Sequence, residues 1–215
     1  MYDKIIEELK QTQTQLIAVS KTKPNEAILV LYNKGQRAFG ENYVQELVEK
    51  HATLPTDIQW HFIGHLQSNK VKYIAPFVHT IHSVDSIKLL QEIDKQAIKY
   101  NRKINCLLQF HIAEEDSKFG FGTEGGEIID EKRVKELKQI DICGVMGMAT
   151  FTDDKIQVRQ EFQKLKQVFD TLKNTYFKGS ETFKHISMGM SDDYKMAIAE
   201  GSTMVRIGSL LFGKR

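Results

Sequence analysis

The sequence predicts an α/β fold, and more specifically a single (β/α)8 barrel of the TIM type. Eight apolar or β-branched runs of strand length occur along the 215 residues, and stretches with helical spacing lie between most of them. Eight such units in about 200 residues fit a closed barrel near its lower size limit better than an open sheet. An open doubly wound sheet is the alternative. We expect residues 1–215 to form one domain, with a leading amphipathic helix over residues 1–14.

The predicted elements follow one another in a regular order. The opening MYDKIIEELK is amphipathic, and acids interrupt its apolar positions, so it predicts a helix and not a signal peptide. The runs that predict strands, rich in apolar and β-branched residues, are 16–20, 37–40, 60–64, 78–84, 104–112, 142–149, 184–189 and 203–208. The stretches whose apolar spacing predicts helices between them are 25–35, 42–54, 86–101, 126–140, 157–174 and 191–201. Chemistry in such a barrel belongs at the carboxyl ends of the strands.

Composition and spacing exclude several classes of protein. The 30 Lys and Arg residues balance 28 Asp and Glu residues, so the net charge of +2 gives no electrostatic case for nucleic acid as a partner. No apolar run in the chain approaches the roughly 18 residues that a membrane span needs. The cysteines, Cys106 and Cys143, lie in apolar runs, which favours buried thiols in a reducing cytoplasm. No Cys or His spacing suggests a metal site.

Lys21 directly follows LIAVS, a strand-like run that is largely apolar on both faces. Because side chains alternate along a strand, Lys21 continues the inward row of Ile17 and Val19 and reaches the barrel mouth. Lys23 precedes Pro24, which places it on the loop. The residues leave two interpretations of Lys21 open. Its ammonium reaches solvent, or a desolvated amine is placed there to attack an aldehyde.

Two loops near the carboxyl terminus predict a phosphate site. Ser187 and Ser191 run into a predicted helix, for which Ser191 is a good N-cap, and the small residues leave backbone N–H groups accessible to an anion. Gly208 permits close backbone approach after the eighth strand, and Ser209 adds a hydroxyl. Phosphate sites made by the loops after strands seven and eight recur in (β/α)8 barrels. The acids at 192–193 would repel a phosphate, and we expect them to face solvent beside the helix dipole.

Arg206 shares one face of the eighth strand with Met204. An arginine between apolar residues at a strand end needs a partner, either a structural carboxylate or a ring nitrogen. A lysine for an aldehyde, serines and glycines for a phosphate, and an arginine for a heteroaromatic nitrogen together describe pyridoxal 5′-phosphate. The arrangement is workable, because strand one lies beside strand eight in a closed barrel.

Five stretches between residue 18 and the carboxyl terminus carry a family resemblance, namely AVSKTKP, FGENYVQE, WHFIGHLQSNK, DSKFG and SMGMSDDYKMAIAEGSTMVRIGSLLFG. They resemble the pyridoxal phosphate homeostasis protein family, whose barrel is similar to the N-terminal domain of alanine racemase. The resemblance implies that Lys21 holds the cofactor as a covalent aldimine and that Arg206 faces the pyridine nitrogen. It also implies that Asn42 lies near the cofactor, although the residues alone permit a helix-capping role. The implied phosphate ligands are Ser187, Ser191, Gly208 and Ser209.

The sequence departs from the family pattern at two positions near the predicted barrel mouth. His65 stands where many relatives have the proline of FIGPLQ, and His111 stands where we expect an asparagine. Both departures alter the surroundings of the predicted cofactor without replacing a predicted ligand. Lys70 and Lys118 are interpreted as surface lysines or anion contacts, with no catalytic role.

The resemblance implies a protein of intracellular vitamin B6 homeostasis that holds pyridoxal phosphate and hands it to apo-enzymes. Two features favour a carrier over an enzyme. An arginine that keeps its own proton leaves the pyridine nitrogen unprotonated, which makes a weaker electron sink than an aspartate partner would. The chain also ends at Arg215, so we expect no second domain to supply a second catalytic base. We therefore expect no catalytic residues, and a monomer in the cytoplasm.

Two other functions stay open at this point. One is a low-activity, racemase-like enzyme in which His65 or His111 supplies the second base. The other is an aldolase-like barrel that forms a Schiff base without any cofactor. Loss of amino-acid α-deuterium that depends on Lys21 would indicate the first. A colourless protein that takes up no pyridoxal phosphate would indicate the second.

Overall fold

The structure, a computed structural model, describes residues 1–113, 119–123 and 131–213. Its described residues form eight parallel strands that close into a barrel in sequence order, which confirms the predicted (β/α)8 fold. Each strand overlaps the run that predicted it. The strands are β1 (Gln15–Val19), β2 (Ala38–Glu41), β3 (Gln59–Phe62), β4 (Thr80–Val84), β5 (Ile104–Gln109), β6 (Ile140–Met146), β7 (His185–Ser187) and β8 (Met204–Ile207).

Helices surround the barrel and connect consecutive strands. A short helix preceded by a 3₁₀ turn at Ser68–Lys70 lies in no predicted stretch, because four residues are too few to show a helical period. The helix predicted over 126–140 is described only from residue 131. The helices are α1 (Tyr2–Gln11), α2 (Asn25–Asn33), α3 (Val44–Thr53), α4 (Val71–Ile74), α5 (Ile87–Lys99), α6 (Glu131–Lys135), α7 (Lys155–Thr175), α8 (Tyr194–Ala199) and α9 (Ser209–Phe212).

Side-chain alternation separates the barrel interior from the layer beneath the helices. On β1, Leu16 and Ala18 belong to the large apolar core under the helices, whereas the fully buried Ile17 faces the interior. A smaller apolar cluster fills part of that interior and consists of Leu107, Cys143, Met146 and Met204. Buried polar side chains complete it, among them His61, His82, Ser187 and Arg206.

The strand register brings the carboxyl ends of β7, β8, β1 and β2 side by side. β1 pairs with both β2 and β8, and β8 also pairs with β7. Ile17 on β1 lies opposite Arg206 on β8, and Val19 lies opposite Gly40 on β2. Because all the strands run parallel, the residues that follow them meet at one rim of the barrel.

Both cysteines are buried and free, as predicted. Burial raises the pKa of the Cys143 thiol to about 11 and that of Cys106 well above its usual value, so neither is a thiolate at neutral pH. No described helix combines the length and the hydrophobicity that crossing a bilayer requires. Within the described ranges, no group of three His, Cys, Asp or Glu side chains is arranged to hold a metal ion.

Candidate functional site

The seven residues predicted to bind a cofactor all lie at the carboxyl ends of four adjacent strands. This placement follows from the parallel register and from loops that begin directly at the strand ends. The residues are Lys21 after β1, Asn42 after β2, Ser187 at the end of β7 and Ser191 on the loop after it, and Arg206, Gly208 and Ser209 at the end of β8.

The Arg206 guanidinium is buried inside the barrel, with 4% of the residue exposed. Its Nη1 donates to the backbone O and to Oγ of Ser187, both at 2.7 Å, and its Nη2 donates to Gly147 O at 3.0 Å. No carboxylate in the described part of the chain forms an ion pair with it. One of the two partners expected from the sequence, a structural carboxylate, is therefore not found there, and the hydrogen-bond acceptors of Arg206 are neutral oxygens. Burial lowers the pKa of Arg206 to about 10, so the group stays cationic at neutral pH. Two of its five N–H groups, on Nε and Nη2, are left for a ligand.

Ser187 supports Arg206 from inside the barrel. The residue is fully buried, and besides accepting from Arg206 its Oγ lies 2.9 Å from His82 Nδ1. His82 Nε2 in turn lies 2.8 Å from His61 Nδ1. The Ser187 hydroxyl, expected from the resemblance to hold a phosphate, therefore has two protein partners. Sequence analysis singled out neither histidine, although alternation on β3 and β4 places both on inward positions.

The loops after β7 and β8 are joined to each other. Ser191 Oγ accepts a hydrogen bond from the Gly208 N–H at 3.4 Å. α8 begins at Tyr194 with Asp193 at its N-cap, so the prediction that Ser191 caps this helix is wrong. The helix starts late because the chain first makes a turn, in which the Tyr194 N–H donates to Met190 O at 2.8 Å. Ser191 thereby lies at the junction of the two predicted phosphate loops.

The two acids on the β7–α8 loop have different surroundings. Asp192 is exposed, as predicted, whereas Asp193 is only partly exposed and accepts the Met190 N–H, which folds the loop. Burial raises the pKa of Asp193 above its usual value. On the neighbouring loop, a Cβ on Gly208 would lie 3.2 Å from Val19 O, so β8 approaches β1 there more closely than a larger residue would allow.

Asn42 has a buried amide oxygen at the rim. Its Oδ1 has no hydrogen-bond partner among the described residues. α3 begins at Val44 with Tyr43 at its N-cap and no side-chain cap, so Asn42 does not take the helix-capping role. Gly64 makes room for this segment, because a Cβ there would lie 2.3 Å from Asn42 O. An unpaired buried acceptor costs about 1–3 kcal/mol, which a hydrogen bond from a bound ligand would offset.

A buried ion-pair network lies behind the loop that carries Lys21. Lys50 on α3 is 5% exposed, and its Nζ lies 2.8 Å from Glu41 Oε1 and 2.6 Å from Glu46 Oε1. Burial raises the pKa of Glu41, although hydrogen bonds from Lys50 and Ser20 oppose that shift. Sequence analysis gave these residues no role. The available signal was the i, i+4 spacing of Glu46 and Lys50 on a predicted helix.

The network holds both neighbours of Lys21. Lys50 Nζ donates to Ser20 O at 2.7 Å, and the Ser20 hydroxyl donates to Glu41 at 2.6 Å. On the other side, the Thr22 N–H donates to Glu46. Thr22 has a φ of +62°, which is uncommon for a β-branched residue and needs such support. The backbone at Lys21 is therefore fixed, and its side chain is half-buried.

Lys23 lies on the loop, as predicted, and has a structural role. Its Nζ donates to Phe212 O at 3.1 Å and to Gly213 O at 3.2 Å, at the end of α9. The ammonium thereby satisfies carbonyl groups that a helix end leaves unpaired. Lys23 ties the last described residues to the loop after β1.

The two departures from the family pattern lie at the same end of the barrel. The exposed His65 ring stacks on Phe119 with ring centres 3.8 Å apart, and its Nδ1 lies 3.3 Å from Asp85 Oδ2. The backbone N–H of His111 donates to Phe121 O at 3.0 Å, just after β5. Lys70, interpreted as a surface or anion contact, is exposed. Lys118, interpreted in the same way, lies outside the described residues.

The chemistry of this rim fits a ligand with an aldehyde, a ring nitrogen and a phosphate. Lys21 supplies an amine, and Arg206 supplies N–H groups that the protein leaves unused. The unpaired Asn42 Oδ1 is what a preformed ligand site would show. The residues present therefore fit pyridoxal phosphate.

Comparisons with known proteins agree with this chemistry. The family model described as alanine racemase, N-terminal domain, matches residues 2–215. The pyridoxal phosphate homeostasis protein of Aquifex aeolicus is 41% identical over 202 residues, which cover 94% of this chain and 87% of that protein. The protein of the same name from Escherichia coli is 37% identical over 206 residues, covering 93% and 85%.

Solved structures of similar proteins share the barrel. PipY of Synechococcus elongatus with PLP bound has a TM-score of 0.83 and 33% identity, and covers 97% of this chain and 98% of PipY. PipY without PLP has a TM-score of 0.88 and 34% identity over the same shares. Alanine racemase of Clostridium difficile, in complex with cycloserine, has a TM-score of 0.72 at 17% identity. The match covers 98% of this chain and 58% of the racemase, and this likeness concerns the fold alone.

Proposed function

The chain belongs to the pyridoxal phosphate homeostasis protein family, and we propose that it binds pyridoxal 5′-phosphate at the rim formed by β7, β8, β1 and β2. Its role is then the homeostasis of that cofactor. The observation that carries this proposal is the buried Arg206 guanidinium, a cation with unused N–H groups and with no described carboxylate within ion-pair distance, Asp193 acting on it only from farther away. PipY, 33% identical to this chain, has PLP bound in a solved structure, which supports the same ligand here.

Each part of the cofactor has a matching group in this proposal. Lys21 Nζ bonds to the aldehyde carbon as an imine with release of water, which retains a reactive aldehyde. Arg206 donates to the pyridine nitrogen, and Asn42 contacts the ring substituents. Ser187 supports Arg206 instead of binding the phosphate, because both of its hydroxyl partners are protein groups. The phosphate ligands that remain are Ser191, Gly208 and Ser209, and the long bond of 3.4 Å between Gly208 N–H and Ser191 Oγ gives way to the phosphate.

We propose a carrier that stores the cofactor and passes it to apo-enzymes, and not an enzyme. When bound, pyridoxal phosphate supplies an electron sink for bonds at the α-carbon of amino acids. Arg206 keeps its proton and only donates, so the ring nitrogen stays unprotonated and the sink stays weak. The buried histidines, His61 and His82, bond to each other and offer no base at the rim. The homeostasis names of the relatives support this role.

Borohydride reduction tests the proposed function directly. The protein is incubated with pyridoxal phosphate, reduced and digested, and the labelled peptide is located by mass spectrometry. We expect one reduced phosphopyridoxyl group, on the peptide that contains Lys21. A protein that stays colourless, or a label confined to other lysines, contradicts the proposal. Washout of α-deuterium from amino acids is measured in parallel. Sustained turnover that depends on Lys21 would show that the protein is an enzyme and not a carrier.

Replacing Arg206 with glutamine should change the absorption spectrum of the bound cofactor more than its retention. The glutamine amide can still hydrogen-bond to Ser187, but it is neutral and places no positive charge beside the pyridine ring of the cofactor. Loss of the charge-assisted bonds is expected to weaken binding only about tenfold, because the amine and the phosphate loops are unchanged. Absorption spectra and equilibrium dialysis measure the two effects. Arg37→Gln, on the exposed surface, is the control, and an Arg206→Gln spectrum identical to it would argue against ring contact.

A further inference from the structure

A line of hydrogen bonds runs through the barrel interior from Arg206 to the third strand. Arg206 Nη1 donates to Ser187 Oγ at 2.7 Å, and Ser187 Oγ lies 2.9 Å from His82 Nδ1. His82 Nε2 lies 2.8 Å from His61 Nδ1. Ser187 and both histidines are fully buried, and Arg206 is nearly so. No water-exposed atom has to be invoked to connect them.

The arginine fixes the direction of every bond in this line. A guanidinium has donors only, so Ser187 Oγ must accept from Arg206. If Ser187 Oγ accepted from His82 as well, its buried hydroxyl proton would have no acceptor on this line, so that proton goes to His82 Nδ1. His82 consequently carries its proton on Nε2 and donates it to His61 Nδ1. By the same logic His61 carries its proton on Nε2, which is buried and has no partner among the described residues.

Both histidines stay neutral, which keeps this direction stable. Burial lowers the pKa of His61 to about 3, and burial also places the pKa of His82 well below its usual value. The nearby charge of Arg206 lowers the pKa of His82 further. Because a neutral imidazole donates through one nitrogen and accepts through the other, the direction set at Ser187 continues along the whole line.

We infer that His82 and His61 are positioning residues for Arg206, a role that deepens the proposed function and rests on it. By taking up the Ser187 hydroxyl proton, His82 keeps a serine lone pair aimed at the guanidinium. Ser187 then holds Nη1 through two acceptors, its Oγ and its backbone O. The Nε and Nη2 groups left over are thereby fixed in direction toward the ring nitrogen of a bound cofactor. Without an acceptor at His82, the buried Ser187 hydroxyl turns to find another partner, and Arg206 loses one of its three acceptors.

Nitrogen-15 NMR of the cofactor-free protein tests the arrangement itself. We expect His82 and His61 both to be neutral, with the proton on Nε2 and a bare Nδ1. A proton on Nδ1 of His82 would make it unable to accept from Ser187 and would overturn the inference. This measurement uses no cofactor, so it stands or falls separately from the proposed function.

Two replacements of His82 then test its effect on the ring. His82→Asn keeps an acceptor at the Nδ1 position, whereas His82→Leu fills similar space without one. We expect the leucine variant to shift the absorption of bound pyridoxal phosphate and to release it about five- to tenfold faster, as the loss of about one hydrogen bond implies. The asparagine variant should match the parent protein in both measurements.

His79→Leu is the matched control, because His79 lies near His61 but hydrogen-bonds to Thr80 and not within the line. Its spectrum should equal that of the parent. If His82→Leu does not fold, His61→Leu, one bond farther from Arg206, replaces it, with a smaller shift expected. Equal spectra for the leucine, asparagine and parent proteins would overturn the inference, since a merely structural histidine would alter stability alone.

Discussion

Lys21→Ala is expected to abolish covalent attachment of pyridoxal phosphate and to speed its dissociation about 10- to 100-fold, the equivalent of about 1.4–2.8 kcal/mol. The imine is the only covalent link in the proposed site, while the phosphate loops and Arg206 remain to hold the cofactor weakly. The fold should be unchanged, because Lys21 follows β1 at the rim and its removal leaves no core cavity. Borohydride labelling, dissociation rates and thermal melting measure the three effects.

Lys23→Ala is the control for this result, since both lysines belong to the same short loop. Lys23 contacts carbonyl groups at the end of α9, so its loss should loosen that helix without removing the label. A Lys21→Ala protein that still accepts a borohydride-fixed label at parent levels would show that another amine binds the aldehyde. An unfolded Lys21→Ala protein would show that the residue is part of the core and not of the rim.

The barrel was predictable from the sequence because its signals are local. Period-two alternation placed Ile17 on an inward row and Arg206 on the same face as Met204, and Ile17 and Arg206 both face the interior. The strand ends, together with the family resemblance, selected seven candidate residues that lie at one rim, because the ends of parallel strands meet on the same side. What each candidate does there remains a prediction that the labelling and substitution experiments test.

The partners of these residues were not predictable, because they depend on pairs far apart in the chain. The sequence indicates a phosphate ligand at Ser187, and only the structure shows His82, 105 residues away, beside its hydroxyl. Ser191 reads as an N-cap, but the turn before α8 moves the helix start to Tyr194 and leaves the hydroxyl facing Gly208. Several residues near the start of a helix can act as its N-cap at similar free energy, so tertiary contacts decide where the helix begins.

The ion-pair network behind the loop of Lys21 gives the second large effect. Lys50→Met is expected to destabilise the protein by about 3–5 kcal/mol, because it leaves the fully buried Glu41 carboxylate without its cation. The same change removes the hydrogen bond from Lys50 to Ser20 O. It also removes the cation that positions Glu46, which accepts from the Thr22 N–H, so the segment around Lys21 becomes less ordered. Capture of pyridoxal phosphate should therefore slow as well. Urea unfolding and the rate of absorbance increase on mixing measure the two effects.

The exposed pair of Lys34 and Asp3 is the control, and Lys34→Met should cost less than about 1 kcal/mol. Adding Glu41→Gln to Lys50→Met should recover much of the loss, because the unpaired charge is then gone.

The pH dependence of stability supplies an independent check with a definite sign. Burial raises the pKa of folded Glu41 above its unfolded value, so the folded state binds that proton more tightly and this group's contribution to stability falls as pH rises through the folded pKa. Lys50 opposes this shift, so its loss raises the pKa of Glu41 further, and the deficit of Lys50→Met should shrink on acidification through the Glu41 pKa of the variant. A deficit that is independent of pH and is not relieved by Glu41→Gln would mean that lost packing of the Lys50 stem, and not an unpaired charge, weakens the protein.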